Sequence, residues 1–367
     1  MTMHSASLWQ QMPSSGRLFV RFWGGCAVAA GVLAIGLQIA GPPPMGGDDI
    51  DVSTPALNPA DKSDIPGPQA DLLEKRSGPN GYPLPRRGQH GHVARQVYAA
   101  PAVDVPAGEA QIALVVTGVG DASALTDEAM TSLPGAVSLV ISPYAPDMKH
   151  LLEQARANKH ETLVSLPIQT GKGNAEAAAS LAGPNALGSD LSARQNLQNY
   201  QWALSSLAGY VGVTNAASGA NQSDFTHSPA FSPLLDDIDK RGLLYLNATP
   251  NTTLPSKTGV TGTADIAVNT DADIVNIDIQ LLKLQQAARR NGRAIGVMGP
   301  LRPVALACLR AWIPHLKDVG ITLVPVSMLV APPAQPQTPP PSSNAGPTLD
   351  NGAMRVHLTN PRMGRQQ

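Results

Sequence analysis

Residues 109–330 predict an α/β fold, a closed or nearly closed (β/α) barrel of seven or eight parallel strands. Three observations carry the prediction. Apolar runs rich in β-branched residues recur at 111–116, 136–141, 162–166, 210–214, 243–247, 264–268, 294–298 and 321–326, and such runs are how buried strands read. Most are separated by segments with helical spacing, and strands that alternate with helices pair in parallel with both faces covered. Their number favours closure over an open doubly wound sheet.

The first run, within QIALVVTGVGDA from Gln111 to Ala122, closes on glycines. A strand of this kind delivers its C-terminal end to the top of the sheet, where α/β proteins place their chemistry. The delivered residues are Thr117, Gly118, Val119 and Gly120, and no ionisable side chain follows until Asp121. A dinucleotide fingerprint is excluded, because Ser123 stands at the third glycine position and no acid stands near Ile141. A phosphate loop fails too, since no Lys-Ser or Lys-Thr follows the glycines. A plainer alternative stays open for this turn: its glycines let strand and helix approach closely, and Thr117 caps the next helix.

Later elements carry their own signals. Pro146 leads the helical DMKHLLEQARANK, Ser189 and Asp190 stand as caps before LSARQNLQNYQWALSSL, and DADIVNIDIQLLKLQQAARRNG ends in basic residues and a glycine, as a helix C-terminus should. His150, His160 and His315 fall in or just after helices and read as surface histidines. His227, in the loop after the fourth strand, is the histidine expected to face the barrel top, with Asp224 near it. Asp121, Asp271 and Asp273 follow other strand ends, where helix caps and first-turn acids also occur. Ser165 and Ser218 have no evident histidine partner for a serine triad.

The flanks read differently. Residues 18–40, LFVRFWGGCAVAAGVLAIGLQIA, carry one charge, Arg21, and match the roughly 20 apolar residues needed to cross a bilayer. Arg17 and Arg21 lie on the N-terminal side and Asp48, Asp49 and Asp51 beyond, which keeps residues 1–17 in the cytoplasm and sends the rest across. The expectation is a single-pass inner-membrane anchor with the barrel facing the periplasm. A cleaved signal peptide is the competing reading, but the run is long for one and no clear small-x-small site follows. Residues 41–108 and 331–367 are rich in Pro, Gly and small polar residues and predict a disordered linker and tail. His90 and His92 in that linker read as solvated.

The formal net charge of -1 offers no electrostatic handle for nucleic acid. Cys26 and Cys308 are the only cysteines. They fall on opposite sides of the membrane boundary, so neither an intramolecular disulfide nor a cysteine metal cluster is expected.

Several phrases together resemble the divergent polysaccharide deacetylase family, envelope proteins with a carbohydrate-deacetylase type of (β/α) barrel. They are IALVVTGVG, LPGAVSLVISPYAPDMKHLLEQARANKHETLVSLPIQ, GYVGVTN, KRGLLYLNAT, RRNGRAIGVMGP and GITLVPVSML. The departures are as informative. Where the resemblance implies paired aspartates, Thr117 and Gly118 stand. Implied histidines are replaced by Ser165, Ala216 and Gly299, and the aspartate closing the fifth strand by Asn247. Metal-assisted deacetylation needs a cation held by imidazoles and carboxylates, together with a general base and acid. Those positions carry only hydroxyl, amide, methyl or hydrogen here.

The resemblance therefore implies a degenerate deacetylase-like barrel that binds a cell-envelope glycan or an envelope protein, contacts the membrane through its N-terminal helix, and needs no cofactor. Thr117, Tyr144, Ser165, Asn215 and Asn247 are the expected substrate-binding residues. The alternatives are a hydrolase with a relocated site around Asp121, Asp224 and His227, which would require a divalent metal, and a purely structural envelope protein.

Overall fold

The computed structural model describes residues 64–169, 182–216, 224–255 and 260–330. Two short strands precede the predicted domain, β1 (Leu73–Ser77) and β2 (Pro83–Pro85), paired antiparallel. Every predicted apolar run then contributes a strand: β3 (Ala110–Val119), β4 (Ser138–Ile141), β5 (Thr162–Ser165), β6 (Gly212–Thr214), β7 (Leu244–Asn247), β8 (Thr261–Thr263) with β9 (Ile266–Asn269), β10 (Arg293–Gly299) and β11 (Ile321–Val324). These nine form one parallel sheet in the order β8-β7-β6-β5-β4-β3-β10-β9, with β11 beside the first half of β3.

The sheet's two ends belong to one chain segment. Ala264 donates its amide to Asn247 of β7 at 2.8 Å, and the next amide, Asp265, donates to Ile295 of β10 at 2.8 Å. β9 overlaps the predicted run at 264–268, whereas β8 precedes it and was not predicted, and the pair curl the sheet into a barrel. β3 lies at its centre, buried along nearly its whole length, as strands of a sheet covered on both faces are.

Among the described residues the α-helices are α1 (Ala94–Val97), α2 (Ser123–Ser132), α3 (Met148–Ala157), α4 (Ala193–Leu204), α5 (Ser232–Lys240), α6 (Ile274–Asn291), α7 (Pro303–Trp312) and α8 (Val326–Val330). α6 follows its signals: the Asp273 carboxylate accepts from the Asn276 amide at 2.8 Å, and Gly292 closes the helix at φ 75. α4 begins later than Ser189 and Asp190 predict. Its cap is Ser192, which completes a reciprocal capping box with Gln195, and two satisfied amides outweigh one.

The predicted disordered linker is corrected over 64–108; residues 41–63 lie outside the described ones. Ile65, Leu72, Leu84, Ala94, Tyr98 and Ala100 are buried in the same hydrophobic core as β3. Polar contacts fix this segment to helix C-termini: Tyr82 and Asn80 donate backbone amides to the Ser205 carbonyl and hydroxyl, and Arg241 reaches Glu74 at 2.7 Å and the Pro85 carbonyl at 2.9 Å. A few well-placed leucines and one tyrosine suffice where backbone pairing supplies the rest. His92 keeps an exposed side chain, as expected, and faces Asp71 at 3.3 Å.

Because helix C-termini and strand N-termini share one end of a (β/α) unit, this segment lies under the barrel, opposite the strand ends. His160 and Glu161 open β5 at that lower end. His160 is buried and not on the surface, its Nδ1 and Nε2 lying 2.8 and 3.0 Å from the carbonyls of Val137 and Met130. Among the described residues no helix is long and apolar enough to cross a membrane. The expected anchor at 18–40 and the expected tail at 331–367 lie outside them.

Candidate functional site

At the strand ends the backbone itself departs from regularity. Val116 pairs with Leu139 and Val119 with Ile141, so three steps along β3 oppose two along β4. This bulge turns on Gly118 at φ 79, with Gly120 at φ 97 just after it, conformations that glycine adopts without a Cβ penalty. A Cβ on Gly118 would stand 2.7 Å from the Leu301 amide nitrogen, whose N–H is donated to the Thr117 carbonyl at 2.8 Å. An aspartate at 118 has no room on this backbone. Thr117 does not cap α2 either: the cap position is Ala122, and Thr126 accepts from the Gly120 amide at 2.9 Å.

Thr117 instead leans toward β10. Its hydroxyl is buried with no hydrogen-bond partner, and it lies 1.7 Å from where a Cβ on Gly299 would be. The threonine thus fills the space that any side chain at 299 would enter.

The ends of β6 and β7 are joined by two amides. Asn215 Nδ2 donates to Asn247 Oδ1 at 3.1 Å, and Asn215 Oδ1 accepts from the Ala248 amide at 2.6 Å. Asn247 Oδ1 also accepts from the Thr249 amide at 3.2 Å, while its Nδ2 donates to Thr252 Oγ1 at 2.8 Å and the Thr249 carbonyl at 3.3 Å. Both side chains are buried, and their polar atoms are engaged with one another and with the 247–252 turn. Thr252 went unread in the sequence, although its place three residues after Thr249, with Asn251 at φ 58 between them, marks a tight polar turn.

The other expected residues scatter. Ser165 is buried at the end of β5, in register with Thr214 of β6. Tyr144 serves the neighbouring loop: its hydroxyl accepts from the Asn185 amide at 3.1 Å and its ring lies 4.9 Å from that of Trp202. Burial raises its phenol pKa, partly countered by the Asn185 hydrogen bond. Asp271 pairs with Arg302 at 3.0 Å, a rim contact that sequence reasoning missed because the two are brought together only by adjacent strands β9 and β10. Asp224 and His227 bound one 3-10 turn. Asp121 stays beside the bulge, its Oδ2 only 3.2 Å from the position of a Cβ on Gly118. Ser218 lies outside the described residues.

The donor set does not fit a divalent cation. Its members are neutral, and the two amides are consumed by bonds to each other and to backbone. Among the described residues no group of three or more His, Cys, Asp or Glu side chains is placed to hold a metal.

A curled parallel sheet with covering helices and a glycine-turned central strand end defines the deacetylase-like α/β barrel class. Residues 114–330 match the divergent polysaccharide deacetylase family, more than half of the 367 residues, and the chain belongs to that family. The resemblance read from the sequence holds. The fold is similar to that of an uncharacterized protein from Agrobacterium tumefaciens C58, with 27% identity and a TM-score of 0.59 over 67% of this chain and 99% of that one. The catalytic domain of a peptidoglycan N-acetylglucosamine deacetylase from Eubacterium rectale ATCC 33656 is more distant, at 14% identity and a TM-score of 0.35 over 62% and 92% of the two chains. No curated protein sequence matches the chain.

Proposed function

We propose that this protein is a catalytically silent member of its family that binds a cell-envelope glycan through neutral hydrogen-bonding groups at the strand ends. It is held at the inner membrane by residues 18–40, with the barrel in the periplasm. The observation that carries the reading is the filling of the site by its own substitutions. Thr117 occupies the space beside Gly299, and Asn247, standing where the family resemblance implies an aspartate, spends its amide on Asn215 and the 247–252 turn. Hydrolysis of an amide or ester at this centre would need a polarising group and an activated water, and these side chains supply neither. Sugar hydroxyls would be met by rim groups that stay exposed, such as the Tyr144 ring and hydroxyl, and not by the buried Thr117, Asn215 and Asn247.

One observation favours a second reading. The Asp121 carboxylate lies against the space of the missing side chain at 118, so it is the one sequence-predicted acid placed close to an implied acidic position. A relocated hydrolase would use it as general base.

The test is acetate release from acetylated amino-sugar polymers by the full chain, with zinc, cobalt or manganese added, together with retention of the chain on those polymers. Retention without acetate release is expected. Release that chelator abolishes and Asp121→Asn removes would establish the relocated site. Neither retention nor release would reject both readings.

A further inference from the structure

We propose that α6 is a contact face between two copies of this chain, with the two helices side by side and parallel. The inner face of α6 packs Ile277, Leu281, Leu284, Ala287 and Ala288 on the barrel. Its outer face leaves Val275, Ile279 and Leu282 at 66%, 43% and 51% exposure. Steps of four and then three residues align these side chains along one line of the helix, the d, a and d positions of a heptad seam, with Gln286 at the next a position. Single exposed apolar residues are ordinary on a protein surface, but an aligned stripe on one helix calls for a partner.

The flanking charges specify that partner. Asp278 and Lys283 are exposed on opposite sides of the stripe, at the g and e positions of the same heptad frame. In a parallel pair, each flank meets the opposite flank of its neighbour. Asp278 of one copy then faces Lys283 of the second, five residues further on, and the two-fold axis makes the contact twice. Gln285 and Arg290 repeat the relation one heptad later. In an antiparallel pair each flank would meet itself, and the Asp278 to Lys283 pairing would be lost. Charge complementarity therefore selects both the occupant, a second copy, and its direction.

Cysteine cross-linking reads that direction. In the full chain with Cys26→Ser and Cys308→Ser, Leu282→Cys places two thiols opposite each other across the two-fold axis of a parallel pair. Mild oxidation should convert this variant to a disulfide-linked dimer, whereas Arg310→Cys, an exposed control on α7, should stay reduced. Sedimentation equilibrium of the full chain supplies an independent measurement. Ile279→Asp should weaken the dimer at least about tenfold in Kd, and Asp278→Lys or Lys283→Asp should each weaken it, with the combined exchange restoring it. Positions 278, 279, 282, 283 and 310 are exposed, and circular dichroism checks that the variants fold. A chain that is monomeric at every concentration, cross-linking at 282 no faster than at 310, or a charge exchange that restores nothing would overturn the proposal. So would a monomer that uses this stripe to bind anionic vesicles.

Discussion

Replacing Glu161 by alanine should remove several kcal/mol of stability from the lower end of the barrel while leaving the strand-end site untouched. The carboxylate is buried. Its Oε1 accepts from the Ser138 hydroxyl at 2.8 Å and the Ser327 amide at 3.0 Å, and its Oε2 accepts from the Ala100 amide at 3.0 Å and the Ser327 hydroxyl at 2.5 Å. Ser138 in turn accepts from the Val326 amide at 3.0 Å. One side chain therefore fastens the N-terminal segment and α8 to β4 and β5. Alanine leaves the Ala100 and Ser327 amides without an acceptor, and neither can rotate away. A buried orphaned donor costs about 1–3 kcal/mol, so the pair costs about 2–6 kcal/mol by the same rule, and the hydroxyls reorient at smaller cost. That is a large share of a domain stability of roughly 5–15 kcal/mol. Glutamine keeps the volume, but in either flip its NH2 faces one of the two amides, so it should lose about 1–3 kcal/mol. Urea denaturation followed by tryptophan fluorescence should rank wild type above Glu161→Gln above Glu161→Ala. An alanine variant within about 1 kcal/mol of wild type would refute the reasoning, because it would mean that water or a shifted backbone satisfies both amides.

Other consequences follow from the same geometry. Gly299→Ala should cost more than about 2 kcal/mol beside Thr117 and much less beside Thr117→Ala, a non-additivity that a double-mutant cycle in urea would measure; additive effects would show that the hydroxyl does not fill this space. Burial holds the His160 pKa below the usual histidine range against the opposing pull of the Val137 and Met130 carbonyls. The folded state then binds fewer protons than the unfolded one, so the stability of the wild type should be level above about pH 6.5 and fall below it, a slope that His160→Gln removes. Stability that rises on acidification would mean that the two carbonyls, both satisfied only by the doubly protonated ring, outweigh burial. A fragment spanning 109–330 should be less stable than one spanning 64–330 and more sensitive to protease, because it loses Leu72, Leu84, Val93 and Tyr98, each large apolar side chain contributing about 1.5–3 kcal/mol; equal protease resistance would restore the reading of 64–108 as a tether.

Most strands of the large sheet were legible because each is a run of β-branched and other apolar residues between glycines, prolines or polar turns, as a sheet covered on both faces demands; β8, a half-buried Thr-Gly-Thr, carries no such signal. α6 was legible for the same kind of reason, since Asp273 and Gly292 mark its ends by local chemistry. The segment before β3 was not. Leu72, Leu84 and Tyr98 sit among prolines, glycines and charges, and what orders them is contact with residues far along the chain, such as the Ser205 carbonyl and Arg241. Composition sees the absence of a local core and cannot see a borrowed one. His160 and Glu161 escaped likewise. Adjacent polar residues at a strand entrance look exposed until the topology supplies their partners, the Val137 and Met130 carbonyls for one and Ser138, Ala100 and Ser327 for the other.

The identity of each strand-end residue could be read from the sequence, but its dependence on the others could not. Taken one by one, Thr117, Gly118, Asn247 and Gly299 look like independent losses of reactive groups. In the folded chain they fit together: Gly299 leaves the volume that the Thr117 hydroxyl enters, Gly118 supplies the positive φ that the bulge needs, and Asn215 holds Asn247 in an orientation that also satisfies the 247–252 turn. An aspartate at 118 would strike the Leu301 amide, and a histidine at 299 would strike Thr117. At 118 and 299 a return toward the implied acidic or imidazole group is therefore opposed by a neighbour already adapted to its absence. Packed interiors tolerate changes of volume poorly, so at positions 118 and 299 this end of the barrel is held in its present arrangement by steric fit.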